Sequence, residues 1–269
     1  MEPHLKLISM KNFRLGCMLA GFLSLVISLP AQTFTTLHSF DGTDGSNPIA
    51  ALTQASDGNF FGEANHGGAN SVGTIFKMSS KGRLKTLHTF CSGNNCADGA
   101  FPSGGLIRAT DGNFYGVTVY GGVLGVGTVF KMTPSGKLTT VYNFCSVQYC
   151  DDGSAPNAGL IQASDGNFYG TTTTGGSNQP NQIGLGVIYK LTPAGELTTL
   201  YSFCPEGGDP CLQGSTPIAS LVQGANNKFY GTAVYGGADN DGTLFSLSAG
   251  LDSLLESSQL PAAWERPSF

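Results

Sequence analysis

The stretch SDGNFYGTTTTGG at residues 164–176 occurs in four versions along this chain of 269 residues. Close copies are SDGNFFGEANHGG at 56–68 and TDGNFYGVTVYGG at 110–122, and a looser copy is ANNKFYGTAVYGG at 225–237. The first phenylalanine of the phrase lies at positions 60, 114 and 168, a spacing of 54 residues, and again at position 229. Repetition at a fixed period indicates supersecondary units that stack on one another, with length changes confined to loops.

Each repeat is predicted to form four short strands. In the second copy these are GGLIRAT from Gly104, NFYGVTVY ending at Tyr120, GTVFKMT from Gly127 and KLTTVYNF ending at Phe144. Asp-Gly and Pro-Ser-Gly sequences separate them and favour tight turns. Threonine, valine and aromatic residues dominate the runs, as is typical of strands with one buried face.

Four antiparallel strands repeated at this period predict an all-β fold, a β-propeller of four four-stranded blades. The last repeat has no fourth strand after GTLFSLSAG, whereas TFTTLHSF at Thr33–Phe40 is an extra copy of that strand at the front. We expect the ring to be closed by this N-terminal strand pairing with the last blade, which would remove exposed sheet edges. Small residues begin each innermost strand and suit a narrow centre, although an open fragment of a larger ring is the alternative.

The repeated phrase itself is interpreted as structural. Asp-Gly forms the turn, the first aromatic residue points into the blade core, the second faces the neighbouring blade, and the following glycine allows close packing between sheets. Calcium binding by the repeated aspartates is the weaker interpretation, because calcium takes six or more oxygen ligands and each turn supplies one aspartate.

Residues 1–31 are predicted to be a secretory signal peptide. Lys11 and Arg14 precede the apolar run at 15–29, and Ala31 is a suitable cleavage residue. The run is shorter than the roughly 20 apolar residues of a spanning helix, so no membrane span is expected in the mature chain. The propeller domain is then residues 32–250, and residues 251–269 are expected to form a poorly ordered tail.

Cysteine usage is typical of an exported protein. Apart from Cys17, the cysteines form three close pairs, each directly after a phenylalanine that ends a β-like run: Cys91 with Cys96, Cys145 with Cys150, and Cys204 with Cys211. We predict a disulfide in each pair. Zinc binding is disfavoured because its thiolate spacings are shorter and a zinc site needs four ligands together.

The pattern L..ASDGNFYGTT..GG....GT.FK.TP.G.LTTLY.F resembles the GloVer tandem-repeat proteins, also called choice-of-anchor proteins, over residues 33–250. The resemblance implies an exported bacterial protein, at the cell surface, secreted or in the periplasm, with a propeller-like fold and no known biochemical role. It brings no catalytic residue set with it. The chain departs from the family pattern after Gly250.

Binding residues are expected on the longer loops, because loops on a rigid frame carry recognition. Alternating strand directions put the double-glycine loops and the cysteine loops on one face and the tight turns on the other. The residues before each double glycine vary between copies and are our candidate ligand-binding residues: His66, Tyr120, Thr174 and Tyr235. Their alternative role is that of ordinary solvent-exposed rim residues.

We expect a non-catalytic scaffold for a glycan, a peptide or a surface protein, with no cofactor or metal, as a monomer. The alternative is a polysaccharide-acting propeller hydrolase or lyase, with Asp151-Asp152 and Glu63 as candidate carboxylates. No nucleophile motif supports a serine hydrolase. His38 and His88 stand where other copies have tyrosine, which indicates packing. A net charge of −5 disfavours nucleic-acid binding.

Overall fold

The computed structural model describes residues 32–176, 184–205 and 211–250. The chain divides into two compact units, Met1–Thr35 and Thr36–Phe269. In the first unit, residues 32–35 are described and form no strand or helix. The predicted signal peptide and C-terminal tail lie outside the described residues, so both stay predictions. No helix among the described segments is long and apolar enough to cross a bilayer.

The second unit contains four antiparallel sheets, which we number 1 to 4 in chain order. Sheet 1 consists of β1 (Thr53–Gln54), β2 (Phe60–Ala64), β3 (Thr74–Met78) and β4 (Leu84–Thr89). Sheet 2 consists of β5 (Ala100–Arg108), β6 (Phe114–Tyr120), β7 (Thr128–Met132) and β8 (Leu138–Asn143). Sheet 3 consists of β9 (Ile161–Gln162), β10 (Phe168–Thr171), β11 (Val187–Leu191) and β12 (Leu197–Ser202). Sheet 4 consists of β13 (Val222–Gln223), β14 (Lys228–Ala233) and β15 (Thr243–Ser248).

Within each sheet the strands pair in sequence order, as the turn chemistry predicts. Sheets 1, 2 and 3 share a register shift between the third and fourth strands, at the same repeat position. A β-bulge at a fixed position bends and twists the outer strand in the same way each time. The sheets are therefore copies of one unit in geometry as well as in sequence, consistent with a propeller-like fold.

The hydrophobic cores lie between sheets. The second aromatic residue of one repeat stacks on the first phenylalanine of the next: Phe61 on Phe114 with ring centroids 4.1 Å apart, Tyr115 on Phe168 at 4.2 Å, and Tyr169 on Phe229 at 4.2 Å. The expectation that the second aromatic residue faces the neighbouring sheet is thus confirmed. The first phenylalanine belongs to the same junction, in a cluster that two sheets share, and so does not fill the core of a single blade.

The glycine after these aromatic residues has a different role from the predicted one. A side chain at Gly116 would collide with the ring of Phe130, which lies opposite it on the neighbouring strand of the same sheet. The glycine therefore makes room for an aromatic ring inside its own sheet. Close packing between sheets falls instead to the inner strands, where a Cβ on Gly104 would lie 2.1 Å from the backbone nitrogen of Gly159.

Ring closure is not detected. Residues 33–40 form no strand, and sheet 4 has three strands among the described residues. The predicted pairing of the N-terminal strand with the last blade is therefore absent from the structure. The ring and its blade number stay predictions.

Candidate functional site

The two ends of the strands present faces of different chemistry. We call the end with the Asp-Gly and Pro-x-Gly turns the turn face, and the end with the double-glycine and cysteine loops the loop face. Because successive strands are antiparallel, each connection type stays at its own end throughout. The predicted division of loops between the two faces is confirmed by this topology.

On the turn face each repeated aspartate is held in a local network. Asp57 accepts a hydrogen bond from Lys77 Nζ at 2.9 Å, and Asp111 accepts one from Lys131 Nζ at 2.8 Å. The bond from Lys77 lowers the pKa of Asp57 to about 2. Burial acts to raise the pKa of Asp111, but the bonds from Lys131 and Asn113 outweigh it and lower that pKa. These contacts explain the aspartates as turn and ion-pair residues.

The cysteine pairs form the predicted disulfides, Cys91–Cys96, Cys145–Cys150 and Cys204–Cys211. Each bridged loop lies against the double glycine of the following sheet: Gly122 N–H donates to the carbonyl of Cys96 at 2.9 Å, and Gly176 N–H donates to that of Cys150 at 2.8 Å. On the loop face, each cysteine loop is therefore hydrogen-bonded to the double-glycine loop of the following sheet. The described residues contain no group of three or more potential metal-ligating side chains.

The four candidate ligand-binding residues occupy one structural position. Each pairs in antiparallel fashion with the equivalent residue of its own repeat, which is the first residue of β5 in sheet 2 and lies seven residues before the inner strand in the other sheets. The pairs are Ser46 with His66, Ala100 with Tyr120, Ser154 with Thr174, and Ser215 with Tyr235. The rings of Tyr120 and Tyr235 are about half exposed, at 54% and 53%. His66 is exposed, while Thr174 is half-buried and shares a 2.8 Å hydrogen bond with the Ser154 hydroxyl.

The structure joins two of the four candidates through a residue that sequence reasoning missed. The ring of Phe101 lies 5.1 Å from that of His66 and 5.8 Å from that of Tyr120, both edge to face. We call His66, Phe101 and Tyr120 the aromatic row, and it runs from sheet 1 to sheet 2. No described contact brings Thr174 or Tyr235 to this row.

Phe101 is held in the row by its backbone. Its φ is +56°, a left-handed conformation that costs roughly 1–2 kcal/mol in a residue with a side chain. The N–H of Phe101 donates to the carbonyl of Val72, in the double-glycine loop of the preceding sheet, at 2.7 Å, and a side chain at Gly73 would collide with the ring of Pro102. The available sequence clue was a variable residue before a repeated proline; the other copies are Asn47, Ala155 and Thr216, all with positive φ.

The loops of sheet 2 also carry exposed apolar side chains. Val123 and Leu124 lie in the double-glycine loop, and Val147 and Tyr149 lie in the cysteine loop that follows the same sheet. All four residues lie in loops of the loop face, where a contiguous apolar patch would mark a binding surface. The loop face therefore presents rings and aliphatic groups where the turn face presents ion pairs.

The candidate carboxylates for glycoside cleavage have separate hydrogen-bond partners. Asp152 is buried behind the cysteine loop, where it accepts hydrogen bonds from Tyr142 Oη and Ser146 N at 2.7 and 2.8 Å. Glu63 lies on β2, and its Oε1 accepts the N–H of Gly105 at 2.8 Å. Burial raises the pKa of Glu63 to about 7, against an opposing effect of the Gly105 N–H.

The histidines in the tyrosine positions make the same kind of contact as Tyr142. His38 lies 2.6 Å from Asp44 and His88 lies 2.9 Å from Asp98, as Tyr142 bonds to Asp152. The His88 pair joins the end of β4 to the loop that follows it, and the His38 pair makes the same contact at the matching repeat position, in a segment that forms no strand. This geometry agrees with the predicted packing role.

These features define an all-β repeat protein with an exposed loop face. The chain matches the model of the Gloeobacter/Verrucomicrobia repeat at residues 25–179 and 146–255, and it belongs to that family. No curated protein matches it.

Solved structures with a similar arrangement include a luciferin-regenerating enzyme, at 12% identity and a TM-score of 0.45 over 73% of this chain and 59% of that one. Another is a gluconolactonase from Xanthomonas campestris, at 11% identity and a TM-score of 0.44 over 73% of this chain and 55% of that one. The chain spans less than two thirds of these neighbours' length. At these values the likenesses bear on neither activity nor substrate.

Proposed function

We propose that this protein is an exported, non-catalytic binding scaffold that captures an uncharged ligand on its loop face. The observation that carries the proposal is the aromatic row, in which rings from two sheets meet at an exposed surface. Aromatic side chains give a large apolar contact area and lose few rotamers on binding. A neutral polysaccharide, whose sugar rings have apolar faces, fits such a surface best.

Rigidity of the row supports the same proposal. The N–H of Phe101 is bonded to the neighbouring sheet, and Tyr120 ends a strand of seven residues. Neither ring depends on a long flexible loop for its position, so little ordering is needed on binding. The three disulfides fit an oxidising location outside the cytoplasm, in accord with the predicted signal peptide. We further propose that the four sheets are the blades of a closed, monomeric propeller.

Binding can be tested with the full mature chain by affinity electrophoresis against neutral and acidic polysaccharides, followed by calorimetry on any hit. We expect retardation by a neutral glycan and a loss of affinity of about 10-fold or more in Tyr120→Ala, a residue expected to anchor the ligand. Tyr235→Ala is the matched control, because Tyr235 has the same repeat position and nearly the same exposure but lies outside the row. Equal losses in both variants would place the site elsewhere.

Catalysis is examined in the same samples. The proposal predicts that each bound polysaccharide keeps its chain length after prolonged incubation with the protein. Release of reducing ends or unsaturated products, abolished in a variant of Asp152 or Glu63 that still folds, would instead establish the hydrolase or lyase function.

A further inference from the structure

Three junctions between neighbouring sheets use one set of contacts. At the inner part, an aromatic residue of one sheet stacks on a phenylalanine of the next, as described above. At the outer part, the phenylalanine after the fourth strand meets an aromatic ring on the third strand of the next sheet; the pairs are Phe90 with Phe130 at 5.4 Å, Phe144 with Tyr189 at 5.3 Å, and Phe203 with Phe245 at 5.4 Å. The side chains in these contacts are almost all fully buried.

Sheet 4 carries one half of such a junction with no other sheet of the described residues against it. Tyr230 is 42% exposed, whereas its counterparts Tyr115 and Tyr169 are 1% and 0% exposed. Val222, next to it on β13, is 63% exposed. On the edge strand β15, Leu244 is 86% exposed, although the residue at this position is buried in each of the other sheets.

Sheet 1 carries the other half. Phe60 is only half-buried, whereas its counterparts at positions 114, 168 and 229 are fully buried. Leu52 is exposed, and its counterpart Leu106 is buried against the sheet before it. The apolar groups that are open on sheet 1 are thus those that would meet the open groups of sheet 4.

The segment Thr36–Phe40 already lies on sheet 1 as the outer strand of a preceding sheet would. Phe40 contacts Phe76 with ring centroids 5.3 Å apart, which matches the three outer contacts of the internal junctions. His38 bonds to Asp44 as His88 bonds to Asp98. What this segment lacks is the third strand of a preceding sheet beside it.

We propose that the open sides of sheets 1 and 4 bind each other within one chain. Tyr230 stacks on Phe60, and Thr36–Phe40 becomes the fourth strand of sheet 4. The register of β3 with β4, in which Ile75 is opposite His88 and Thr74 is opposite Thr89, places His38 opposite Leu244 and Ser39 opposite Thr243. This junction would complete the proposed propeller and does not depend on the identity of its ligand.

A partner within the same chain is favoured over a second copy by two features. Sheets 1 and 4 belong to one compact unit of the same chain, so binding between them is an intramolecular event, whereas a second copy must give up its translational freedom. The inner strands also approach so closely that no side chain fits at Gly104, which indicates a narrow centre. A head-to-tail contact between copies would be heterologous and would build larger assemblies.

The test is a pair of engineered cysteines, Ser39→Cys with Thr243→Cys, in the full chain. Opposite residues on paired strands have Cα atoms about 4.5–5.5 Å apart, within the reach of a disulfide. The matched control pairs Ser39→Cys with Ser248→Cys, at the far end of β15. We expect a bond within a monomer for the first pair and none for the control, as measured by non-reducing peptide mass spectrometry and native mass.

Each other result overturns the proposal. Disulfides between chains would show that copies associate head to tail. Equal disulfide formation in both cysteine pairs would contradict the proposed register. The absence of a disulfide in folded protein would contradict the junction itself. As a second measurement, Tyr230→Ala should lower Tm by about as much as Tyr169→Ala, on the order of 10 °C. A shift under about 2 °C for Tyr230→Ala alone would show that this ring is free in solution. Ligand binding is measured independently, so a failed junction and a failed binding site are distinguishable.

Discussion

Glu63 makes the stability of this protein depend on pH in a way that can be calculated. The carboxyl group is buried on β2, and Oε1 accepts the Gly105 N–H, while Oε2 has no hydrogen-bond partner within the described ranges. The equivalent residue in sheet 2 is the apolar Val117, also buried. Removal from water disfavours the charged form, and this raises the pKa of Glu63 from 4.5 to about 7.

The sign follows from proton uptake on folding. Between pH 4.5 and 7 the unfolded chain has an ionised Glu63, while the folded chain keeps it protonated. The contribution is therefore fully present below pH 4.5 and is lost as the pH rises to about 7. A difference of about 2.5 pKa units corresponds to about 3 kcal/mol of unfolding free energy, since one unit is about 1.4 kcal/mol.

Urea unfolding at pH 5 and pH 8 measures this directly. Glu63→Gln keeps the shape and the acceptor for Gly105 but cannot ionise. Because part of the loss in the natural protein occurs below pH 5, we expect the variant to lose about 2.5 kcal/mol less than the natural protein between the two pH values. Glu63→Val, which copies sheet 2, should behave likewise in its pH dependence. The exposed Glu196→Gln is the control and should follow the natural protein. Parallel pH profiles for Glu63→Gln and the natural protein would refute the reasoning.

Three further predictions concern single contacts. Gly104→Ala should lower the stability of the protein by about 3 kcal/mol or more, because its Cβ would meet the backbone of the next sheet. Gly112 has a similar φ and nothing within 4 Å of a Cβ, so Gly112→Ala should cost only about 1 kcal/mol. Equal costs in chemical denaturation would argue against the close approach at Gly104. Tyr189→Phe should raise stability by about 1 kcal/mol, because the buried hydroxyl lacks a partner in the described part of the chain; a lower Tm would reveal a bond to it. Replacing Cys145 and Cys150 by serine should cost about 2 kcal/mol, and an unchanged urea midpoint would show that this loop is fixed without its bridge.

Much of the architecture could be predicted from the sequence because it depends on local chemistry. Asp-Gly turns, the two-residue alternation of the strands and the short cysteine spacing each act over fewer than ten residues. The strand of the second repeat predicted to end at Tyr120 does end there, and all three disulfides form as paired. Fourfold repetition made these local patterns readable by comparison within one chain.

The rest depends on how one sheet lies against the next, which local patterns do not encode. Phe101 joins the candidate site only because its N–H bonds to the preceding sheet and fixes a left-handed backbone there. The place of the first phenylalanine at the junction between sheets, and the role of Gly116 inside its own sheet, likewise follow from tertiary contacts. Thr174 has the predicted position, yet its hydroxyl is engaged with Ser154, a contact that a one-dimensional pattern cannot reveal.

In the proposed propeller, every boundary between neighbouring sheets uses the same type of junction, and this includes the boundary between sheets 4 and 1. Amide hydrogen exchange along β15 tests it most directly, because the outward N–H groups of Thr243–Ser248 face water unless another strand pairs with them. The account predicts that these amides are protected to a degree comparable with those of β3 and β7, which have partners on both sides. Exchange of the outward β15 amides at the rate of an open edge, with β3 and β7 protected in the same sample, would contradict it.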